Sequence, residues 1–73
     1  MSEYLVVIEL EGDSWGAYCA DLPGVGVAGD SCDEVERLVR EAVSLHLEAL
    51  RRAGDPIPAP SAVGTTLVEV PAA

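Results

Sequence analysis

The sequence predicts an α+β fold: a two-layer β-β-β-α-β chain, with a four-stranded mixed sheet in the order 3-2-1-4 and one helix on one face. Three observations lead there. Aliphatic and β-branched residues alternate over Tyr4–Leu10 and again over Thr65–Val70. An apolar stripe of helical period lies between a capping sequence at Ser31 and a terminating Gly54. The strap Asp55-Pro56-Ile57-Pro58-Ala59-Pro60 then leads stiffly from the helix to the last strand, because each proline fixes φ near the polyproline value.

The first strand, Tyr4 to Leu10, sorts its side chains by parity. Tyr4, Val6, Ile8 and Leu10 share one face, wholly apolar and expected to meet the helix. Leu5, Val7, Glu9 and Glu11 share the other. Gly12-Asp13-Ser14 reads as a hairpin turn, followed by a second strand from Trp15 to Ala20. Whether Trp15 points inward depends on the length of that loop. Leu22-Pro23-Gly24-Val25 places Pro and Gly where a type II turn needs them, and a short third strand, about Val25 to Ala28, should follow.

Ser31-Cys32-Asp33-Glu34 matches the capping box, a serine with glutamate three residues on. Asp33, Glu34 and Glu36 suit the positive end of the helix dipole, and Arg51 and Arg52 suit the negative end. Val35, Leu38, Val39, Ala42, Val43, Leu45, Ala49 and Leu50 form one broad apolar arc, with His46 near its middle. His46 has no partner at ligand spacing and reads as a packed histidine. After the strap, Thr65–Val70 forms the fourth strand, with Val68 and Val70 toward the helix and Leu67 and Glu69 away from it. The chain must return parallel to the first strand, and the right-handed crossover rule sets it beside that strand.

With 73 residues this is one domain, residues 1–73, and its core must be built from Val, Leu, Ile and Ala, since Phe is absent. A chain of this length buries only about 60–65% of its unfolded surface, so association is an expected source of stability. No apolar run spans a membrane and no signal-peptide pattern opens the chain, so a cytoplasmic protein is expected. Cys19 and Cys32 fit no metal spacing and read as reduced, small apolar residues.

The net charge of −9 is unevenly placed. All four cations, Arg37, Arg40, Arg51 and Arg52, lie in the helix; the remainder carries only acids. Such a surface repels phosphate, which argues against direct nucleic-acid binding, and it attracts a basic protein. The plainer reading is an acidic surface that keeps a small protein soluble.

Taken together these segments resemble the HicB family, the antitoxins of HicA–HicB toxin–antitoxin pairs. The residues that carry the likeness are Tyr4 and Glu9, then Tyr18-Cys19-Ala20-Asp21-Leu22-Pro23-Gly24. They continue through Gly29-Asp30-Ser31, Glu34, Glu41-Ala42, Leu45-His46-Leu47-Glu48 and Pro56-Ile57-Pro58-Ala59-Pro60. The resemblance covers about residues 4–60. It implies a partial ribonuclease H-like sheet, an oligomer, and binding to a small basic HicA-type ribonuclease that the antitoxin blocks. Many relatives of this kind carry a C-terminal DNA-binding part. With the sequence ending at Ala73, promoter binding is not expected to carry over.

A ribonuclease H-like shape raises the question of metal-dependent cleavage. Glu9, Glu11 and Glu69, with Glu34, Glu41 or Glu48 from the helix, are the candidate carboxylates, and Glu9 and Glu69 could face each other across adjacent strands. By alternation they point away from the helix, so no helix carboxylate joins them, and two exposed glutamates make a poor site for a hard divalent ion. No nucleophile–base–acid set and no phosphate-cradling loop is evident. The expectation is therefore a non-catalytic interaction protein with no cofactor and no metal. It should associate with itself through the outer sheet face or a sheet edge, and mask a basic toxin, with Leu5, Val7, Glu9, Glu11, Leu67 and Glu69 as the interface residues. The alternatives are a small oligomeric protein- or ligand-binding module and, more remotely, a metal-dependent nuclease.

Overall fold

The computed structural model describes residues 2–72. Three strands, β1 (Val6–Glu11), β2 (Ser14–Cys19) and β3 (Gly26–Gly29), precede one long helix, α1 (Cys32–Ala53). The strands form an antiparallel sheet in the order β1-β2-β3. The helix covers one face and rests chiefly on β2 and β3, touching β1 least. Among the described residues no helix is long and apolar enough to cross a membrane.

Each turn follows from its residues. Glu11 pairs with Ser14, so the first hairpin loop is only Gly12-Asp13. Gly12 has φ 61° while Asp13 stays at negative φ, the sign pattern of a type II′ turn with glycine first. This loop settles Trp15. It pairs with Leu10 and packs, partly buried, against the core with Ala17 and Cys19. In the second connection the Val25 N–H donates to the Leu22 carbonyl at 3.2 Å and Gly24 takes φ 89°, the expected type II turn.

The helix ends are equally explicit. Ser31 is extended, and its hydroxyl accepts from the Glu34 N–H at 3.1 Å. The Glu34 carboxylate reaches back to the Asp30 N–H at 3.0 Å, one residue earlier than the usual reciprocal bond. Gly29 leaves room for that carboxylate, because a Cβ there would collide with it. At the other end Gly54 adopts φ 73°, its N–H donates to Arg51 O, and the Asp55 N–H donates to Leu50 O, a Schellman pattern.

The core is small and aliphatic: Ala17, Cys19, Leu22, Val25, Val35 and Val39 are buried, with Tyr4, Val6, Trp15, Val27, Ala42, Val43 and Leu47 packed around them. It lies under the N-terminal half of α1. Leu45 is exposed although the apolar arc includes it: it lies at the margin of that arc, while Val43 and Leu47, before and after it, pack against the core.

The predicted four-stranded sheet in the order 3-2-1-4 is not what forms. The sheet has three strands, and residues 55–72 make neither strand nor helix. The strap explains the difference. The Tyr4 hydroxyl donates to the Pro58 carbonyl at 2.5 Å, and the Asp21 carboxylate then accepts from the Ser61 N–H, the Ser61 hydroxyl and the Ala62 N–H at 2.9, 2.6 and 3.0 Å. Tyr4 precedes β1, whereas Asp21 lies in the β2–β3 connection. The strap thus crosses the end of the sheet, away from the edge of β1. Residues beyond Ala62 leave the body, with Leu67 fully exposed and Val68 and Val70 nearly so. Their strand propensity is real, but such propensity is realised only against a neighbouring strand.

Candidate functional site: an uncovered sheet face and an edge groove

The face of the sheet opposite α1 is covered by no other element of the described chain. Register places Val7 opposite Tyr18 and Tyr18 opposite Gly26, while Glu9 faces Gly16 and Gly16 faces Ala28. Leu5 continues the pairing, since its carbonyl accepts from the Ala20 N–H at 3.1 Å. The outcome is a flat platform. Its centre is Gly16, Gly26 and Ala28, its apolar flank is Leu5, Val7 and Tyr18, and Glu9 and Glu11 edge it. A Cβ built on Gly16 would meet only the Val27 carbonyl oxygen, at 3.4 Å, so no side chain stands over Gly16.

Four of the six residues expected at an interface, Leu5, Val7, Glu9 and Glu11, therefore share this face. Leu67 and Glu69 do not join them, because they lie in the exposed tail and not in a strand beside β1. For the same reason Glu9 and Glu69 do not form a carboxylate pair. Tyr18 belongs to the platform and is 43% exposed, yet sequence reasoning placed it only within the family likeness. Counting the hairpin loop as two residues would have set it opposite Val7.

A second feature runs along the other side of β1. Because α1 sits over β2 and β3, a groove of about 820 Å³ opens between the helix and β1, floored by Val6, Ile8, Val39, Val43 and Leu47 and closed at one end by Tyr4 and Ile57. Ile8 and Leu10 point to the helix side but stay 39% and 55% exposed. Their counterparts on β2, Ala17 and Cys19, are buried.

The electrostatics is dominated by acid. Three of the four arginines are already engaged by glutamates one turn away: Arg37–Glu41 at 3.7 Å, Arg40–Glu36 at 3.1 Å and Arg52–Glu48 at 2.7 Å. These exposed pairs add little stability, about 0–1 kcal/mol each, but they neutralise much of the only basic surface. Asp21 is held below the ordinary carboxylate range by the Ser61 hydroxyl, then by the Ala62 and Ser61 N–H groups, against a small opposing effect of burial.

Chemistry-bearing groups are scattered. Among the described residues no three His, Cys, Asp or Glu side chains converge as a metal site. His46 is half-buried on α1, Cys19 is buried in the core, and Cys32 begins the helix; both cysteines are free thiols. The arrangement offers an uncovered sheet face and an apolar edge groove to a contacting surface.

The profile of a family described as HicB-like antitoxin of bacterial toxin–antitoxin systems matches residues 4–71. The chain matches no curated protein and no solved structure. That match runs from Tyr4, the strap's first anchor, through all three strands and the helix into the exposed tail, and the chain belongs to the HicB-like antitoxin family.

Proposed function

We propose that this chain is a non-catalytic antitoxin domain that binds a small basic HicA-type mRNA-cleaving toxin and masks its active or RNA-binding surface. HicB-like antitoxins typically partner a toxin protein, and the observation that carries the reading here is the uncovered platform of Leu5, Val7 and Tyr18 rimmed by Glu9 and Glu11. Its apolar flank suits contact with a folded partner. Its acidic rim, within a chain of net charge −9, suits a partner rich in Lys and Arg and would speed their encounter. The same charge disfavours RNA or DNA as the direct ligand. A protein that works by covering another needs no metal and no catalytic group of its own, and we place it in the cytoplasm, where mRNA is cleaved.

The test is affinity capture of the tagged chain from its native host, with co-eluting proteins identified by mass spectrometry. A small basic ribonuclease recovered in fixed ratio, and inactive until released, is the expected result. Recovery of the chain alone, or ribonuclease activity from the pure chain that needs Mg²⁺ or Mn²⁺ and vanishes with Glu9→Ala, would overturn it.

A further inference from the structure

We infer that the groove between β1 and α1 binds a small amphipathic carboxylate, an aliphatic chain of about eight to ten carbons with one anionic end. The site is separate from the platform. Val6 and Ile8 face the groove, whereas Val7 and Glu9 face the other side of β1. The inference therefore stands apart from the toxin-masking reading, which uses that other side.

The body of the ligand follows from the walls. Val6 and Ile8 form one wall, and Val39, Val43 and Leu47 form the other, so the floor is aliphatic. The three helix residues are spaced by four and lie along one line of α1. From Val39 to Leu47 that line runs about 12 Å, at ~1.5 Å per residue. An extended alkyl chain advances about 1.25 Å per carbon, since bonds of ~1.5 Å meet at ~111°. About nine or ten carbons match the line. At the rim Ile8 and Ile57 stay 39 and 40% exposed, so an occupant removes apolar surface that the fold leaves in water. The end wall is fixed beforehand. The Tyr4 hydroxyl donates to the Pro58 carbonyl and Asp21 holds Ser61 and Ala62, so Ile57 cannot swing away without breaking these bonds. A preformed wall lowers the ordering cost of binding.

Charge selects the head group. Glu36, Arg40 and Arg51 are the charged side chains that line the groove. Glu36 and Arg40 satisfy each other at 3.1 Å. Outside it, Arg37 and Arg52 are paired with Glu41 and Glu48. Among the described residues Arg51 is thus the one arginine with no carboxylate in ion-pair reach. It continues the line of Val39, Val43 and Leu47 one turn further, toward the end that Tyr4 and Ile57 close. The helix carbonyls beside it, of Leu50 and Arg51, are already capped by the Asp55 and Gly54 N–H groups. A free guanidinium at the end of an aliphatic floor is complemented by one carboxylate at the end of an aliphatic chain. The same cation disfavours a basic toxin segment as the occupant. A single cation in a chain of net charge −9 also suits a monoanion better than a more highly charged phosphate ester.

The test titrates the isotope-labelled full chain with octanoate, decanoate and 1-octanol at pH 8, below the concentrations at which they aggregate, and follows methyl resonances. Octanoate should shift Val6, Ile8, Val39, Val43 and Leu47 saturably and leave the methyls of Leu5 and Val7 nearly still. Decanoate should bind about fourfold or more tightly than octanoate, as two further methylenes are partly buried. Arg51→Gln should weaken octanoate about threefold or more and leave 1-octanol unchanged, because it removes the charge alone. Val43→Asp should weaken all three about tenfold or more, with far-ultraviolet circular dichroism that of the wild type. If Val43→Asp loses the fold, the more exposed Ile8→Asp takes its place. Absence of saturable shifts, 1-octanol binding as tightly as octanoate, or octanoate indifferent to Arg51→Gln would each overturn the inference. So would shifts centred on Leu5 and Val7, which would mark adsorption to the open platform.

Discussion

Leu22→Ala is the sharpest probe of how this small domain holds together. Leu22 is fully buried, although it belongs to a turn and not to a strand or helix. The type II turn through Pro23 and Gly24 swings it beneath the helix, against Val35 and Val39. Removing three carbons forfeits about 2.4 kcal/mol of transfer free energy at ~0.8 kcal/mol each. A cavity that collapses only partly raises the cost to about 3–4 kcal/mol. The whole stability of a 73-residue domain is about 4–11 kcal/mol, so this one change removes roughly a quarter of it or more. At about 4–8 °C per kcal/mol for a domain of this size, the melting temperature should fall by at least ~12 °C. Thermal unfolding followed at 222 nm, at one fixed protein concentration because association shifts the midpoint, reads this directly. A fall of less than about 4 °C would refute the reasoning. It would mean that Leu22 is not inserted and that the turn does not pin β2 and β3 to the helix.

Three further outcomes follow from other contacts. The Asp21 anchor has a carboxyl held below its ordinary value of 3.8. Its contribution is therefore complete above that value and is lost as pH falls through the lower folded value. The amide resonances of Ser61 and Ala62 should hold still from neutral pH down to that value and move together only below it; a midpoint at or above 3.8 contradicts the anchor. Asp21→Ala should shift both resonances to those of an unrestrained chain at neutral pH, with the core resonances unchanged. Ser31→Ala removes the acceptor for the Glu34 N–H and should cost about 1 kcal/mol in urea unfolding, while Ser44→Ala, on the exposed face of α1, should cost less than half as much.

What could be read from the sequence follows the range of the interactions. The three strands, both tight turns and both helix ends rest on residues within a few positions of one another. Gly12, Pro23-Gly24, Ser31 with Glu34, and Gly54 all act where local chemistry placed them. The fourth strand failed for the opposite reason. Thr65–Val70 has the right alternation, but a strand needs an edge to pair with, and the strap decides which edge is within reach. That decision is made by Asp21 and Ser61, forty residues apart, and no periodicity connects them. The platform was legible in part for a similar reason. Parity within β1 put Leu5, Val7, Glu9 and Glu11 together, whereas Tyr18 joins them only once the cross-strand register is known. Leu45 shows the limit of helical periodicity: the apolar stripe is broader than the face the sheet covers, so a residue at its margin stays in water while Val43 and Leu47 pack.

The central claim is that this antitoxin-family domain silences a basic ribonuclease by covering it with the uncovered sheet face. The most direct measurement titrates the pure chain against RNA cleavage by the co-purified toxin, wild type beside Val7→Glu, with circular dichroism confirming that the variant is folded. The account predicts stoichiometric inhibition by the wild type and a loss of affinity of about thirtyfold or more for Val7→Glu, as a charge is driven into the apolar flank of the contact. Equal inhibition by both chains would contradict it, because the toxin would then be held by some other surface.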